Sequence, residues 1–205
     1  MHGDFHWWVD HMTQHVTEFL DSYAKQRAPL AREEVARIVM QIGDALQTAH
    51  SAGNLHGELK PDNVRYHPES QRVELLNFKN DAARGGASEA QLTRGGFDIS
   101  ALLYTAPETL GGASVTPAAD QYGLATVAYF LLTGLLPYLA RKPHEMLTQL
   151  SSQPPIPLNR ARPDLQFAPP VEAVIMRGLA KKPEDRYPNV QAFATGLRDA
   201  LQAGA

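Results

Sequence analysis

The side chains with the most chemical reach lie in three places. His56-Gly-Glu-Leu-Lys-Pro-Asp-Asn63 crowds a histidine, acids, a lysine and an asparagine into one short run, and Asn77 follows it. His2, His6, His11 and His15 form two pairs spaced by four, which on a helix would face one way and suit Zn²⁺. No acidic partner is fixed by that pattern, and His6 falls in a Trp-rich segment, so solvated or packing histidines are expected and no metal site. Ser88 and Thr93 stand in a Gly- and Ala-rich stretch as candidates for phosphorylation, though ordinary loop roles are the expectation. The chain has no cysteine, which excludes a disulfide framework, a thiolate metal site and a cysteine nucleophile.

These residues have to be held by the elements around them. Met12, Val16, Phe19, Leu20 and Tyr23 recur at helical spacing and predict a helix over 12–27. A second helix opens at Leu30-Ala-Arg-Glu-Glu, with acids where the helix dipole favours them, and carries the stripe Val35, Ile38, Val39, Ile42, Leu46 to a stop near Gly53. Asn63-Val-Arg-Tyr and Arg72-Val-Glu-Leu-Leu are short and β-prone, joined by a tight connection at His67-Pro-Glu-Ser-Gln. Residues 79–100 are rich in Gly, Ala and Ser and read as a long loop. From Pro117 a nearly all-apolar helix runs to Thr133-Gly134, and shorter helices follow near 143–152, 170–180 and 188–202. The fold class is mainly α (α+β), a helical bundle with a small β-hairpin and a functional loop in the middle.

The length of 205 residues suits one compact domain, with 43% apolar and 20% charged residues, as in an ordinary globular domain. A net charge of -3 gives no electrostatic case for nucleic acid. No apolar run reaches the ~20 residues that span a bilayer, and the N-terminus lacks the pattern of a secretory signal. A cytoplasmic domain is expected, alone or as the cytosolic part of a larger protein. The alanine- and glycine-rich texture suggests a bacterial source.

His56-Gly-Glu-Leu-Lys-Pro-Asp-Asn63 resembles the catalytic loop of the eukaryotic-like serine/threonine protein kinases, H-R-D-L-K-P-x-N. Asn77-Phe-Lys79 stands where D-F-G belongs, and Ala106-Pro-Glu108 where A-P-E closes the activation segment. Asp120-Gln-Tyr-Gly-Leu is similar to the segment that opens the family's central helix. Lys182-Pro-Glu-Asp-Arg186 resembles the late segment whose arginine pairs with the A-P-E glutamate. Five ordered landmarks are far more specific than any one of them. The resemblance implies a protein-kinase-like C-lobe over 1–205. In it, 1–12 form the hinge and the remnant of the last N-lobe strand, and 77–108 an activation-segment-like loop. It also implies structural roles: His56 and Phe78 in the regulatory spine, Asp120 as its anchor, and Glu108 paired with Arg186.

Against that pattern the chemistry looks degenerate. Phosphoryl transfer in the family uses a glycine-rich loop, a lysine with its partner glutamate, Mg²⁺ held by the D-F-G aspartate and loop asparagine, and a catalytic aspartate. Only about ten residues precede the hinge here, so the N-lobe is expected to be largely absent. Glu58 replaces the catalytic aspartate, Asn77 the metal-binding aspartate, Lys79 the D-F-G glycine and Gly57 the loop arginine; Lys60 and Asn63 remain. Arg65 falls where the family places an apolar residue beneath adenine, and a guanidinium there would be costly to desolvate without a partner. No catalytic residue and no cofactor are therefore expected, with ATP and Mg²⁺ binding at the former positions Asn63, Arg65 and Asn77 as the disfavoured outcome. The reading is a catalytically inactive pseudokinase acting as a protein-interaction or regulatory scaffold. The alternative is the C-lobe fragment of an active or weakly active ATP-dependent serine/threonine protein kinase. The expected interface is the face that an N-lobe would cover, around Trp7 and Trp8, taken by a protein partner or a second copy. Ser100-Ala101 replace the family's Gly-Thr, so no substrate-peptide groove in the usual register is expected.

Overall fold

A computed structural model describes residues 18–78, 102–110, 112–140 and 142–204. The spacing-based helix over 12–27 is shorter than expected on its described side. Glu18–Phe19 form a strand, β1, and helix α1 covers Leu20–Arg27. Phe19 is exposed, while Leu20 and Tyr23 are buried, because β1 is pinned to a neighbouring strand and turns Phe19 away from the helical stripe.

Helix α2, Arg32–Ser51, opens with Glu33 and Glu34 in its first turn and buries Val35, Ile38, Val39, Ile42 and Leu46 completely. A 3₁₀ turn at Pro61–Asn63 leads into β2, Val64–His67, which pairs antiparallel with β3, Arg72–Leu75. Because β1 pairs with the other edge of β2, the expected hairpin is a three-stranded sheet in the order β1-β2-β3. Two residues of strand carry too little alternation to be seen in sequence.

Beyond the loop come the single turn α3 (Pro107–Leu110), the long helix α4 (Pro117–Thr133), α5 (Pro143–Ser152), the single turn α6 (Leu158–Ala161), α7 (Pro169–Gly178) and α8 (Val190–Ala203). In α4 every residue from Ala119 to Thr133 is buried, so it is the axis of the core. Thr116 starts it by accepting from the Ala119 N–H. Helices α2, α7 and α8 pack around it through Ile38, Ile42, Ile175, Phe193 and Leu197. A smaller apolar cluster, Tyr138, Met146 and Leu150 with Leu103 and Leu110, seats α5 apart from that core.

Candidate active site

The loop between α2 and the 3₁₀ turn is anchored from below by Asp120, in the first turn of α4. Its carboxylate accepts from the His56 N–H at 2.9 Å, the Gly57 N–H at 2.8 Å and His50 Nε2 at 2.8 Å. Asp120 is only 2% exposed and His56 is buried, so a charge-assisted set replaces the water that these groups would otherwise need. Gly57 sits at φ 73°, in the left-handed region that glycine enters without cost, and this turn presents its N–H to Asp120. The close approach of the loop to α4 also depends on Gly123, where a Cβ would lie 3.2 Å from both Cβ and the carbonyl oxygen of Leu59.

Above this anchor lie two side-chain pairs, joined through the Glu58 backbone. Lys60 Nζ lies 3.4 Å from Glu58 Oε1. Asn63 is buried and donates through Nδ2 to the Glu58 carbonyl at 2.8 Å. Asn77, held at φ 61°, donates through its own Nδ2 to Asn63 Oδ1 at 2.9 Å. A carboxylate–ammonium pair and an amide pair thus share one short loop and the strand end beside it. That set fits a divalent cation and the phosphate groups it would accompany, with Asn63 and Asn77 as the oxygen donors. As placed, however, Asn63 Oδ1 is used by the Asn77 amide.

Phe78 packs on His56 with ring centroids 4.8 Å apart. Arg65 is not the unpartnered guanidinium that its position suggests. It pairs across the strands with Glu74 at 3.1 Å, its side chain 40% exposed, so the desolvation cost argued from sequence does not arise. At the far end of the segment, Glu108 and Arg186 form a two-pronged pair, both contacts at 2.7 Å. The remaining Arg186 N–H groups reach the carbonyls of Ala118, Ala180 and Lys181, and its side chain is 0% exposed.

Sequence reasoning missed His50, whose only signal is a histidine in the last turn of α2, and Gln121, which brackets Tyr187 by bonding both its N–H and its carbonyl. It also missed Lys181, which crosses from the α7 end to donate to Tyr138 Oη at 2.6 Å and to the carbonyls of Gln149 and Leu150 at the end of α5. Burial first, then the Arg186 charge, lowers its pKa to about 8, against three oxygen acceptors that favour the ammonium. Trp7, Trp8, Lys79, Ser88, Thr93, Ser100, Ala101 and the four N-terminal histidines lie outside the described residues, so neither the expected interface nor the Ser100-Ala101 reading is placed.

The family model for the protein kinase domain matches residues 5–196, and the chain belongs to that family. It is 38% identical over 192 residues to the serine/threonine-protein kinase Pkn1 of Myxococcus xanthus, covering 91% of this chain and 27% of that protein. It is 36% identical over 182 residues to PknE of Mycobacterium tuberculosis, covering 89% of this chain and 31% of that protein. The chain therefore spans about a third or less of these bacterial relatives. Among solved structures it resembles the Mycobacterium tuberculosis PknI kinase domain, with a TM-score of 0.64 at 31% identity, over 92% of this chain and 63% of that one. The protein-kinase fold follows. Two expectations change with it. Relatives named as serine/threonine kinases favour the enzyme reading over the scaffold. The expectation of no cofactor is overturned, because a family defined by ATP- and Mg²⁺-dependent phosphoryl transfer is the one this chain belongs to. No helix among the described residues is long and apolar enough to cross a membrane.

Proposed function

We propose that this chain is the helical lobe of an ATP-dependent serine/threonine protein kinase, with phosphoryl transfer slowed by two substitutions. The observation that carries this is the loop fixed by Asp120, which bears the Glu58–Lys60 pair and holds the Asn63–Asn77 pair through the Glu58 carbonyl. In this reading Glu58 accepts the hydrogen bond of the acceptor hydroxyl and orients it, and Lys60 offsets the charge that develops on the transferring phosphoryl oxygens. Asn63 and Asn77 would hold Mg²⁺, which when bound supplies charge neutralisation at the phosphates. The longer Glu58 side chain moves its carboxylate by about an ångström from where an aspartate would place it, a displacement that can cost ~10²-fold in rate.

Residues 1–12 would be the hinge and 77–108 the activation segment. The phosphate-covering loop and its lysine strand would come from a small lobe outside these 205 residues, which Trp7 and Trp8 would contact. Relatives named as serine/threonine kinases support this assignment, as does the Glu108–Arg186 pair that closes the segment.

The test is transfer of the γ-phosphate from MgATP to a serine- and threonine-rich acceptor protein, by this chain joined to its small lobe and by the Glu58→Asp variant of that protein. Transfer that rises on shortening Glu58 supports the reading. No transfer from either, with the fold intact, would sink it.

A further inference from the structure

Helix α5 is held to the molecule differently from α2, α7 and α8. Its buried Met146 and Leu150 join Tyr138 in an apolar cluster separate from the main core, and Leu103, Leu110 and Ala140 pack against that cluster. Leu110 ends the turn α3 and Leu103 precedes it, so α5 is seated on the segment 102–110. Towards α4, the Tyr138 and Tyr122 hydroxyls stand 3.5 Å apart, too far for a strong bond. The firm polar tie is Lys181, from the stretch between α7 and α8. Its Nζ meets the Leu150 carbonyl at 2.6 Å, the Gln149 carbonyl at 3.1 Å and Tyr138 Oη at 2.6 Å. Both carbonyls lie in the last turn of α5, where a helix leaves acceptors over and favours a cation. Charged, the lysine donates to all three oxygens. Neutral, it donates to the two carbonyls and accepts the Tyr138 O–H, so the tie holds in either state. Arg186 Nη2 reaches the Lys181 carbonyl at 3.1 Å while holding Glu108, so α5 and α3 are tied to one short stretch, 181–186.

We propose that α5 is a flap that opens by itself from the folded molecule, latched by Lys181, and that its opening uncovers Leu103 and Leu110. A small apolar cluster and one polar latch put this opening below the unfolding of the core, where α4 is buried from Ala119 to Thr133. The flap is thus a conformational control on the segment that ends in α3. The coupling runs both ways, because the side chains that α5 covers are also the seat that holds it. The proposal rests on the packing of α5 and not on the phosphoryl-transfer reading.

Native-state hydrogen exchange of the 205-residue chain in rising urea tests this. The amides of Leu147 to Ser152 are expected to share one opening, with a smaller urea slope than the amides of α2 and α4. Ile42→Val thins the main core, so it should speed exchange in α2 and α4 and leave α5 unchanged. Lys181→Ala should speed exchange across α5 by at least about tenfold, the effect of losing one charged hydrogen bond. Leu110→Ala, which thins the seat, should speed α5 as well. A urea slope in α5 equal to that of α4, a response of α5 to Ile42→Val, or unchanged α5 exchange in folded Lys181→Ala or Leu110→Ala would overturn the proposal. Should either of those last two variants fail to fold, the urea slopes and Ile42→Val decide.

Discussion

Asn77 donates its side-chain amide to Asn63 Oδ1 at 2.9 Å, and so occupies the oxygen that would otherwise be offered to a metal ion. An aspartate at 77 has no N–H to donate and would turn a carboxylate towards the same place. Asn77→Asp is therefore expected to tighten Mg²⁺-dependent nucleotide binding by about tenfold or more, since a carboxylate is a far better hard-cation ligand than an amide. Isothermal titration with MgATP against metal-free ATP checks this. An equal change with and without metal would contradict it.

Glu108 and Arg186 tie the turn α3 to the stretch between α7 and α8. Arg186 is fully buried, so Glu108→Ala leaves an uncompensated charge beside three carbonyls and should destabilise by ~3–5 kcal/mol. Urea unfolding measures it. Replacing both residues, Glu108→Leu with Arg186→Met, should recover much of that loss, because the unpaired charge is then gone.

Asp120 holds two loop amides and His50 at once. Asp120→Ala orphans the His56 and Gly57 N–H groups, each worth about 1–3 kcal/mol when buried and unpaired. A loss of a few kcal/mol should appear in denaturant unfolding, together with faster hydrogen exchange at residues 56–60. Lost stability with unchanged loop exchange would show that Asp120 does not organise the loop.

Lys181 gives the stability a pH signature. Its folded pKa of about 8 lies below the ordinary lysine value of 10.5, so the folded state releases its proton before the unfolded state does. Stability should then rise from pH 8 upward, by up to about 1 kcal/mol over the first unit, or ~2–4 °C in Tm. Tyr23, Tyr66 and Tyr129, pushed up to about 12 mainly by burial, act oppositely. They keep their protons where unfolded tyrosines lose them, so stability falls above pH 10. In Lys181→Met the rise between pH 8 and 10 should vanish while the alkaline fall remains.

What sequence made legible follows physical range. The stripe of α2 and the apolar run of α4 are local signals of core helices, and the structure buries Ile38, Ile42 and Leu124 as those signals ask. The single turns α3 and α6 and the strand β1 are set by tertiary pairing, and nothing local announces them. In the site, residue types showed which groups were present but not what they touch. Arg65 looked like an unpaired charge until Glu74 came across the sheet, and the Asn77–Asn63 bond depends on where two strand ends meet.

The most direct test of the central claim is MgATP binding to the chain, followed as a thermal shift with and without Mg²⁺. Metal-dependent stabilisation that saturates is expected, reaching ~2.7 kcal/mol at a hundred times Kd, and larger in Asn77→Asp at equal MgATP. No metal-dependent shift in either protein, at any accessible MgATP concentration, would contradict the assignment of this patch to phosphoryl transfer.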